Sequence, residues 1–274
     1  QQPGMPQPRP AALQVEPKAR RVLVLEAWVR RRVAGYFTAE LHPLPQRRHL
    51  YYVMREYAGV TLEEQRRQLG LLSIPAWRAL AAQMVKAVGK LHQRNLIHRD
   101  IKPENLHQGE DGQLRVLDFG LTFCPGLTQQ ETGRAPGTPS YRAPEALRGA
   151  EPHPQQDIYS TGVTLYFLLT GHYPYGEVEA FQRPRFGKPI PASRYRPDVP
   201  PWIDTMLLRA VAAEPKERFE TAEEWLLELA KGENQPLHSC HEPLLKRDPL
   251  RFWRYVALTS LALNLLLVVQ LLTH

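Results

Sequence analysis

The 274-residue sequence predicts an α+β fold that is mainly helical, followed by one C-terminal membrane-spanning helix. Three observations predict this. Apolar residues recur at helical spacing through several long segments. Strand-like segments are few and short. The 17-residue run 256–272 has only Thr259, Ser260, Asn264 and Gln270 as polar residues. At ~1.5 Å rise per residue this run reaches about 26 Å, near the lower limit for crossing a bilayer.

Along the chain, residues 1–18 are rich in Pro and Gln and read as a linker or an unanchored end. In 19–34, Val22, Leu25, Trp28, Val29 and Val33 form a helical stripe, with the Arg30–Arg32 run on the opposite side. Residues 49–54 (HLYYVM) have the composition of a strand, and 56–59 of a connector. A second amphipathic helix covers 75–94, with Pro75 in its first turn. Residues 95–105 form a polar loop. A short strand, 114–117, follows the 109–112 turn. The strongly apolar 155–170 is a helix that Gly171 ends. Two further helices cover 201–213 and 221–231, the latter opened by Thr221 and Glu224 in a capping-box pattern. A juxtamembrane linker, 232–254, leads to the span at 255–272.

Apolar residues make up 43% and charged residues 23%, which excludes global disorder. The net charge of +7 invites a nucleic-acid reading. No basic motif with interleaved aromatics supports one, so no nucleic-acid partner is expected. The basic residues Arg20, Arg21, Arg30, Arg31, Arg32, Arg47 and Arg48, and those just before residue 256, read instead as solvated faces and a juxtamembrane flank. Cys124 and Cys240 lack metal-type spacing and read as reduced thiols. The sequence begins with Gln1 and has no N-terminal apolar stretch of signal-peptide type. We therefore expect that Gln1 is not the natural start.

The chemistry is concentrated in three signatures. His98-Arg99-Asp100-Ile101-Lys102-Pro103-Glu104-Asn105 comes first, Asp118-Phe119-Gly120 next, and Ala143-Pro144-Glu145 last. Each alone is weak; their order and spacing together are specific. Over residues 20–230 the chain resembles the eukaryotic-like protein kinase superfamily, which implies a kinase fold with a helical C-lobe. LEAWVRRRV (25–33) and LYYVMREYAGVTLEE (50–64), with the terminal span, most resemble the kinase half of bacterial fused phosphatase–kinase proteins. An upstream phosphatase domain is thereby an expected partner.

Phosphoryl transfer needs positioning and neutralisation of phosphate charge. The resemblance implies Asp100 as the group that accepts or orients the proton of a substrate hydroxyl. Lys102 would hold the transferring phosphate, and lysine at that place resembles the Ser/Thr class. Asn105 and Asp118 offer hard oxygen ligands for Mg²⁺, which with ATP is the expected cofactor. Thr138 resembles the threonine that ties the substrate loop to the catalytic loop. The resemblance also implies an ion pair between Glu145 and Arg218 and a brace from Asp157 to the catalytic loop. Asp157 is equally a charge favoured by a helix N-terminus. His92 and His98 are expected to be structural rather than metal ligands. Arg99 implies an activation segment ordered by phosphate, for which Thr128 and Thr132 are the candidates.

The resemblance fails at the N-terminal side. No GxGxxG precedes the first helix, and Lys18, only eight residues before Glu26, is a poor strand lysine. Glu26 is the expected helix glutamate of the nucleotide site; otherwise it is an exposed helix charge. These gaps predict a truncated β lobe, with the Gly-rich loop and strand lysine expected upstream of Gln1. The expected function is Ser/Thr phosphorylation of protein substrates. The alternative is a catalytically silent pseudokinase that acts as a membrane-tethered interaction module. Lys246, Arg247, Arg251 and Arg254 flank only one side of the span, which predicts a single-pass protein of the inner membrane with its kinase domain in the cytoplasm. Asn264 is either tolerated singly or hydrogen-bonded across a homodimer of helices.

Overall fold

A computed structural model describes residues 17–33, 41–42, 53–126, 139–177 and 186–233, together with Trp253, Ala257, Thr259 and Ser260. The chain forms two compact units, 1–235 and 236–274. In the second unit the four described residues are helical. The expected span at 255–272 otherwise lies outside the described residues, as do Thr128, Thr132, Thr138 and Lys246–Arg251. Among the described residues, no helix is long and apolar enough to cross a membrane.

The first unit opens with helix α1, Pro17–Val33. Its apolar stripe is anchored by Val29 and Val33, both buried. The expected basic face is split by burial. Arg31 and Arg32 are exposed, but Arg30 is only 2% exposed and belongs to the interior. Strand β1 (Leu41–His42) pairs antiparallel with β2 (Val53–Met54). The latter lies at the end of the expected 49–54 strand, whose other residues are outside the described set.

Strand β3 (Gly59–Thr61) and helix α2 (Leu62–Leu69) follow, an element that hydrophobic periodicity does not signal. A full capping box starts α2: the Thr61 hydroxyl accepts from the Glu64 N–H at 3.2 Å, and the Glu64 carboxylate accepts from the Thr61 N–H at 2.9 Å. Helix α3, Ile74–His92, begins with Ser73 as N-cap and Pro75 in the first turn, as expected. Strands β4 (Leu106–Gly109) and β5 (Leu114–Val116) join β3 in a three-stranded antiparallel sheet of order β3-β4-β5.

A short helix α4 (Pro144–Leu147) precedes α5, Pro154–Thr170. Residues Gln156 to Thr170 of α5 are all buried, so this helix is a core element on every side. It ends at Gly171, whose left-handed φ of 74° suits a residue without Cβ. Helix α6 (Pro201–Ala210) crosses α5 closely: a Cβ on Gly162 would stand 2.9 Å from the Ala210 Cβ. Helix α6 stops three residues short of the expected 213. Helix α7, Ala222–Glu233, completes the unit. The Thr221 hydroxyl accepts from the Glu224 N–H at 3.2 Å, but the Glu224 carboxylate reaches the Glu220 N–H rather than that of Thr221. The expected capping box is thus half formed.

Trp77, Met84, Val88 and Leu91 of α3 pack with Leu165, Leu168 and Leu169 of α5 and Trp225 and Leu229 of α7 in the main core. The Trp77 indole N–H donates to the Leu165 carbonyl at 2.8 Å, locking α3 to α5. A second apolar cluster, Tyr141, Tyr159, Val163, Phe167 and Val211, lies beneath residues 139–147. The result is a helical lobe carrying a three-stranded sheet, with α1 and the β1–β2 pair as the described part of the strand-bearing lobe. Among the described residues the sheets have two and three strands.

Candidate active site

The loop 98–105 leaves α3 and returns into β4. It is shaped from below by α5. Asp157, fully buried, accepts from the His98 N–H at 2.8 Å through Oδ2 and from the Arg99 N–H at 2.8 Å through Oδ1. His92 adds a bond from Nε2 to Oδ2 at 3.0 Å. Burial by itself disfavours the Asp157 carboxylate. The bond and charge of His92 and the Arg99 N–H outweigh it, and the carboxyl's pKa falls below its ordinary value. Two turns further along α5, the Thr164 hydroxyl donates to the Ser160 carbonyl at 2.8 Å and stands 3.3 Å from the Ile101 carbonyl of the loop. Sequence reasoning missed Thr164; its seven-residue offset from Asp157 places both on one helix face and was the available signal.

These bonds hold Arg99 at a φ of +69°, a conformation costly for a side-chain-bearing residue. The turn brings the expected catalytic residues together. The Asn105 side-chain amide donates to the Asp100 carbonyl at 2.9 Å and to Asp100 Oδ2 at 2.8 Å. Lys102 Nζ lies 2.9 Å from the same Oδ2. Both partners thus occupy one oxygen of Asp100 and leave Oδ1 for a hydroxyl proton. Asn105, in turn, presents Oδ1 away from Asp100.

His98 sits below this loop, fully buried. Its Nδ1 accepts from the Asp100 N–H at 3.3 Å and its Nε2 donates to the Leu117 carbonyl at 3.1 Å. Those two bonds select the neutral ring with its proton on Nε2. Burial lowers its basicity further. His92 and His98 are therefore both held by hydrogen bonds to the protein.

Asp118 follows β5 and is the third positive-φ non-glycine residue, at 53°. It is exposed, and its Oδ1 accepts only the Gly120 N–H at 3.1 Å among the described bonds. Phe119 is fully buried and meets His98 edge-on at 5.2 Å. Glu26 of α1 does not reach a lysine among the described residues. Its Oε1 accepts from Arg30 Nη2 at 2.8 Å and Nε at 3.2 Å, and the side chain is 14% exposed. It is therefore not an exposed helix charge.

The donor set suits Mg²⁺. Among the described residues, no group of three or more His, Cys, Asp or Glu is placed to hold a metal on its own. One carboxylate and one amide oxygen, from Asp118 and Asn105, match a cation that takes its other ligands from water and phosphate. Bound there with ATP, Mg²⁺ would supply charge neutralisation at the phosphates. Asp100 would accept the acceptor hydroxyl's hydrogen bond, and Lys102 would stand beside the transferring group.

The segment after residue 139 is anchored separately. Arg218, buried, grips Glu145 with two 2.7 Å bonds and also donates to the carbonyls of Ala212, Ala213 and Gln155. This is the ion pair that the sequence led us to expect. Arg99, Arg142, Ala143 and Ser160 share a cavity beside this anchor.

Asp100, Lys102 and Asn105 meet in one turn, Asp118 keeps an oxygen open, and Glu145 is anchored separately, an arrangement that phosphoryl transfer could use. The protein kinase domain family matches residues 30–226, and the chain belongs to that family. The relatives that follow are serine/threonine-protein kinases. The chain is 34% identical to the serine/threonine-protein kinase PrkC of Bacillus subtilis over 67% of this chain and 29% of that protein. Identity is also 34% to PknB of Mycolicibacterium smegmatis, over 73% of this chain and 33% of that one. PknL of Mycobacterium tuberculosis is 34% identical, over 64% and 45% respectively. The chain thus spans less than half the length of these relatives.

Proposed function

We propose that the chain is the catalytic part of a membrane-anchored bacterial Ser/Thr protein kinase. It transfers the γ-phosphoryl group of ATP, with Mg²⁺, to a Ser or Thr hydroxyl of a protein substrate. The observation that carries the reading is the Asp100–Lys102–Asn105 cluster, with both partners on Oδ2 and the loop braced by Asp157. A domain that only bound partners would have no physical need for a poised carboxylate beside two hard oxygen ligands. Membrane anchoring rests on the 255–272 run and its one-sided basic flank, which also support cytoplasmic exposure of the domain at the inner membrane. The narrower resemblance, with an upstream phosphatase domain, rests on 25–33, 50–64 and that span.

A silent pseudokinase tethered to the membrane is the second reading. The observation in its favour is that Glu26 pairs with Arg30. The two readings separate on one experiment. The full-length protein in detergent is given Mg²⁺-ATP and an acceptor protein, with and without EDTA. We expect phosphoserine or phosphothreonine with Mg²⁺ only, and its loss in Asp118→Asn. An inert wild type that still binds acceptor protein would establish the pseudokinase reading instead.

A further inference from the structure

Residues 55–58 carry the chain from β2 of the strand-bearing lobe to β3 of the helical lobe. Arg55, Glu56 and Ala58 are exposed, and only Tyr57 of this connector turns inward. Its ring meets two cations. The guanidinium carbon of Arg115, on β5, stands 3.6 Å from the ring centroid, and that of Arg55 stands 5.1 Å from it. Arg115 is only 8% exposed, and the turn between β4 and β5 aims it. The Asp111 carboxylate of that turn accepts from Arg115 Nη1 at 3.0 Å and also from Nη2, while the Gln113 N–H donates to Asp111 Oδ1 at 3.1 Å. These bonds, that to Arg115 first, hold the Asp111 carboxyl down at about 2, so the pair stays charged at neutral pH. The fit is close: a Cβ on Gly109 would stand 2.3 Å from Asp111 Oδ1 and 2.5 Å from Arg115 Nη1. The same turn ties the connector backbone, because the Glu110 N–H donates to the Ala58 carbonyl at 2.9 Å.

From this clamp we infer that Arg115 is a positioning residue for Mg²⁺-ATP: by gripping Tyr57 it fixes the connector 55–58 to the helical lobe. Of the two cations on the ring, Arg55 belongs to the connector and moves with it. Arg115 belongs to the lobe and can anchor it. With Tyr57 and Ala58 both tied, bending is confined to Arg55 and Glu56, the exposed end that joins β2. Strand β5 also leads directly into Asp118, so one strand sets both the connector and the carboxylate that faces the nucleotide. Fixing the connector before the ligand arrives removes an ordering cost from binding, which tightens it. A cation over an aromatic face is strengthened where water is excluded, and Arg115 is buried there. Asp111 is exposed, so removing its cation strands no buried charge, and the loss registers at Tyr57. The inference rests on the kinase reading only in taking Mg²⁺-ATP as the ligand.

The test is a double-mutant cycle on the full-length protein with Arg115→Met, Tyr57→Leu and the pair. Arg115→Lys, which keeps the cation, and Tyr57→Phe, which keeps the ring, are the conservative variants. The readouts are Mg²⁺-ATP affinity by titration calorimetry, KM and kcat for phosphotransfer, hydrogen exchange at the Glu110 amide, and thermal stability. Arg115→Met and Tyr57→Leu should each weaken Mg²⁺-ATP binding by about fivefold, with KM rising more than kcat falls. Each should also speed exchange of the Glu110 amide. The pair should be no worse than the weaker single variant, and each conservative variant should recover at least half of the loss on a logarithmic scale. A purely structural role would lower the melting temperature at unchanged affinity and KM. That outcome overturns the inference, as does additivity of the two substitutions. If Arg115→Met does not fold, Tyr57→Leu and Arg115→Lys decide the matter on the same readouts. A wild type that binds Mg²⁺-ATP but transfers nothing overturns the kinase reading and leaves the affinity cycle to judge Arg115. A wild type that binds no Mg²⁺-ATP overturns both.

Discussion

The two halves of the active site are built differently. The loop 98–105 hangs on α5: one buried carboxylate, Asp157, receives two backbone N–H groups and a histidine, and the Thr164 hydroxyl meets the loop again at the Ile101 carbonyl. Among the described residues, the Asp118 side has no such scaffold. Asp118 is exposed and held by a single short-range bond to Gly120, and α1 reaches it through the Arg30–Phe119 contact. The difference teaches that the base is preset by the fold, at the expense of a left-handed Arg99. The Asp118 carboxylate instead keeps an open oxygen that, on the proposed reading, bound cation and phosphate would fix. A preset base needs no reorganisation during transfer, and an open ligand set can admit and release nucleotide.

Several substitutions break or sharpen this contrast. The largest effect falls on the base. Asp100→Asn should lower phosphotransfer by roughly 10²–10⁴-fold. Mg²⁺-ATP affinity should stay near that of the wild type, because Asp100 spends its bonds on Lys102 and Asn105. Steady-state kinetics beside a nucleotide titration separates the two; a large loss of affinity would place Asp100 on the metal side instead.

The anchor of the acceptor segment comes next. Arg218→Ala removes a buried cation and strands the Glu145 carboxylate, so chemical denaturation should show a loss of ~3–5 kcal/mol. A loss under ~1 kcal/mol would mean that the pair is effectively solvated. Asp157→Ala leaves the His98 and Arg99 N–H groups buried and unsatisfied, and should cost about 3 kcal/mol. Unlike Arg218→Ala, it should also release Arg99 from its left-handed φ and depress kcat in the molecules that remain folded.

The smallest effect is that of pH. Burial lowers the basicity of His98 below its ordinary value of 6.5, so the unfolded chain binds this proton more readily than the folded one. Stability from His98 is therefore present above pH 6.5 and is lost as pH falls below it. Asp157 has the opposite charge but the same slope. Its pKa is lowered from 3.8, so its contribution stands above that value and fades as pH falls further. Melting temperature should thus fall between pH 7 and pH 5. The slope should flatten in His98→Phe, which keeps a ring against Phe119 but cannot be protonated.

Much of this contrast was legible in the sequence, and unevenly. The loop residues Asp100, Lys102 and Asn105 are close in sequence, so their meeting follows from one tight turn. The long-range partners Asp157, Glu145 and Arg218 were reached only through family resemblance. Helices with a clear apolar stripe, α1, α3 and α5, were found within two residues of their ends. Helix α2 escaped because its middle, EEQRRQ, has no stripe. It is held by the Thr61–Glu64 box and by Glu63 pairing with Arg66 and Arg67. Strand β4 (LHQG) lacks β-branched residues and forms because β3 and β5 pair with both its edges. Arg30 was assigned to the charged face because it belongs to an arginine run. Periodicity cannot say that one arginine of the run has both a carboxylate and a phenyl ring to meet it inside.

Hydrogen exchange resolved to single amides tests the contrast most directly. In the full-length protein without nucleotide, the His98 and Arg99 amides should already be strongly protected, and Mg²⁺-ATP should leave them unchanged. The Gly120 amide and its neighbours in the 118–120 turn should exchange readily and gain protection only with Mg²⁺-ATP. Fast exchange at His98 and Arg99 in the nucleotide-free protein, slowed by Mg²⁺-ATP, would contradict a base preset by Asp157.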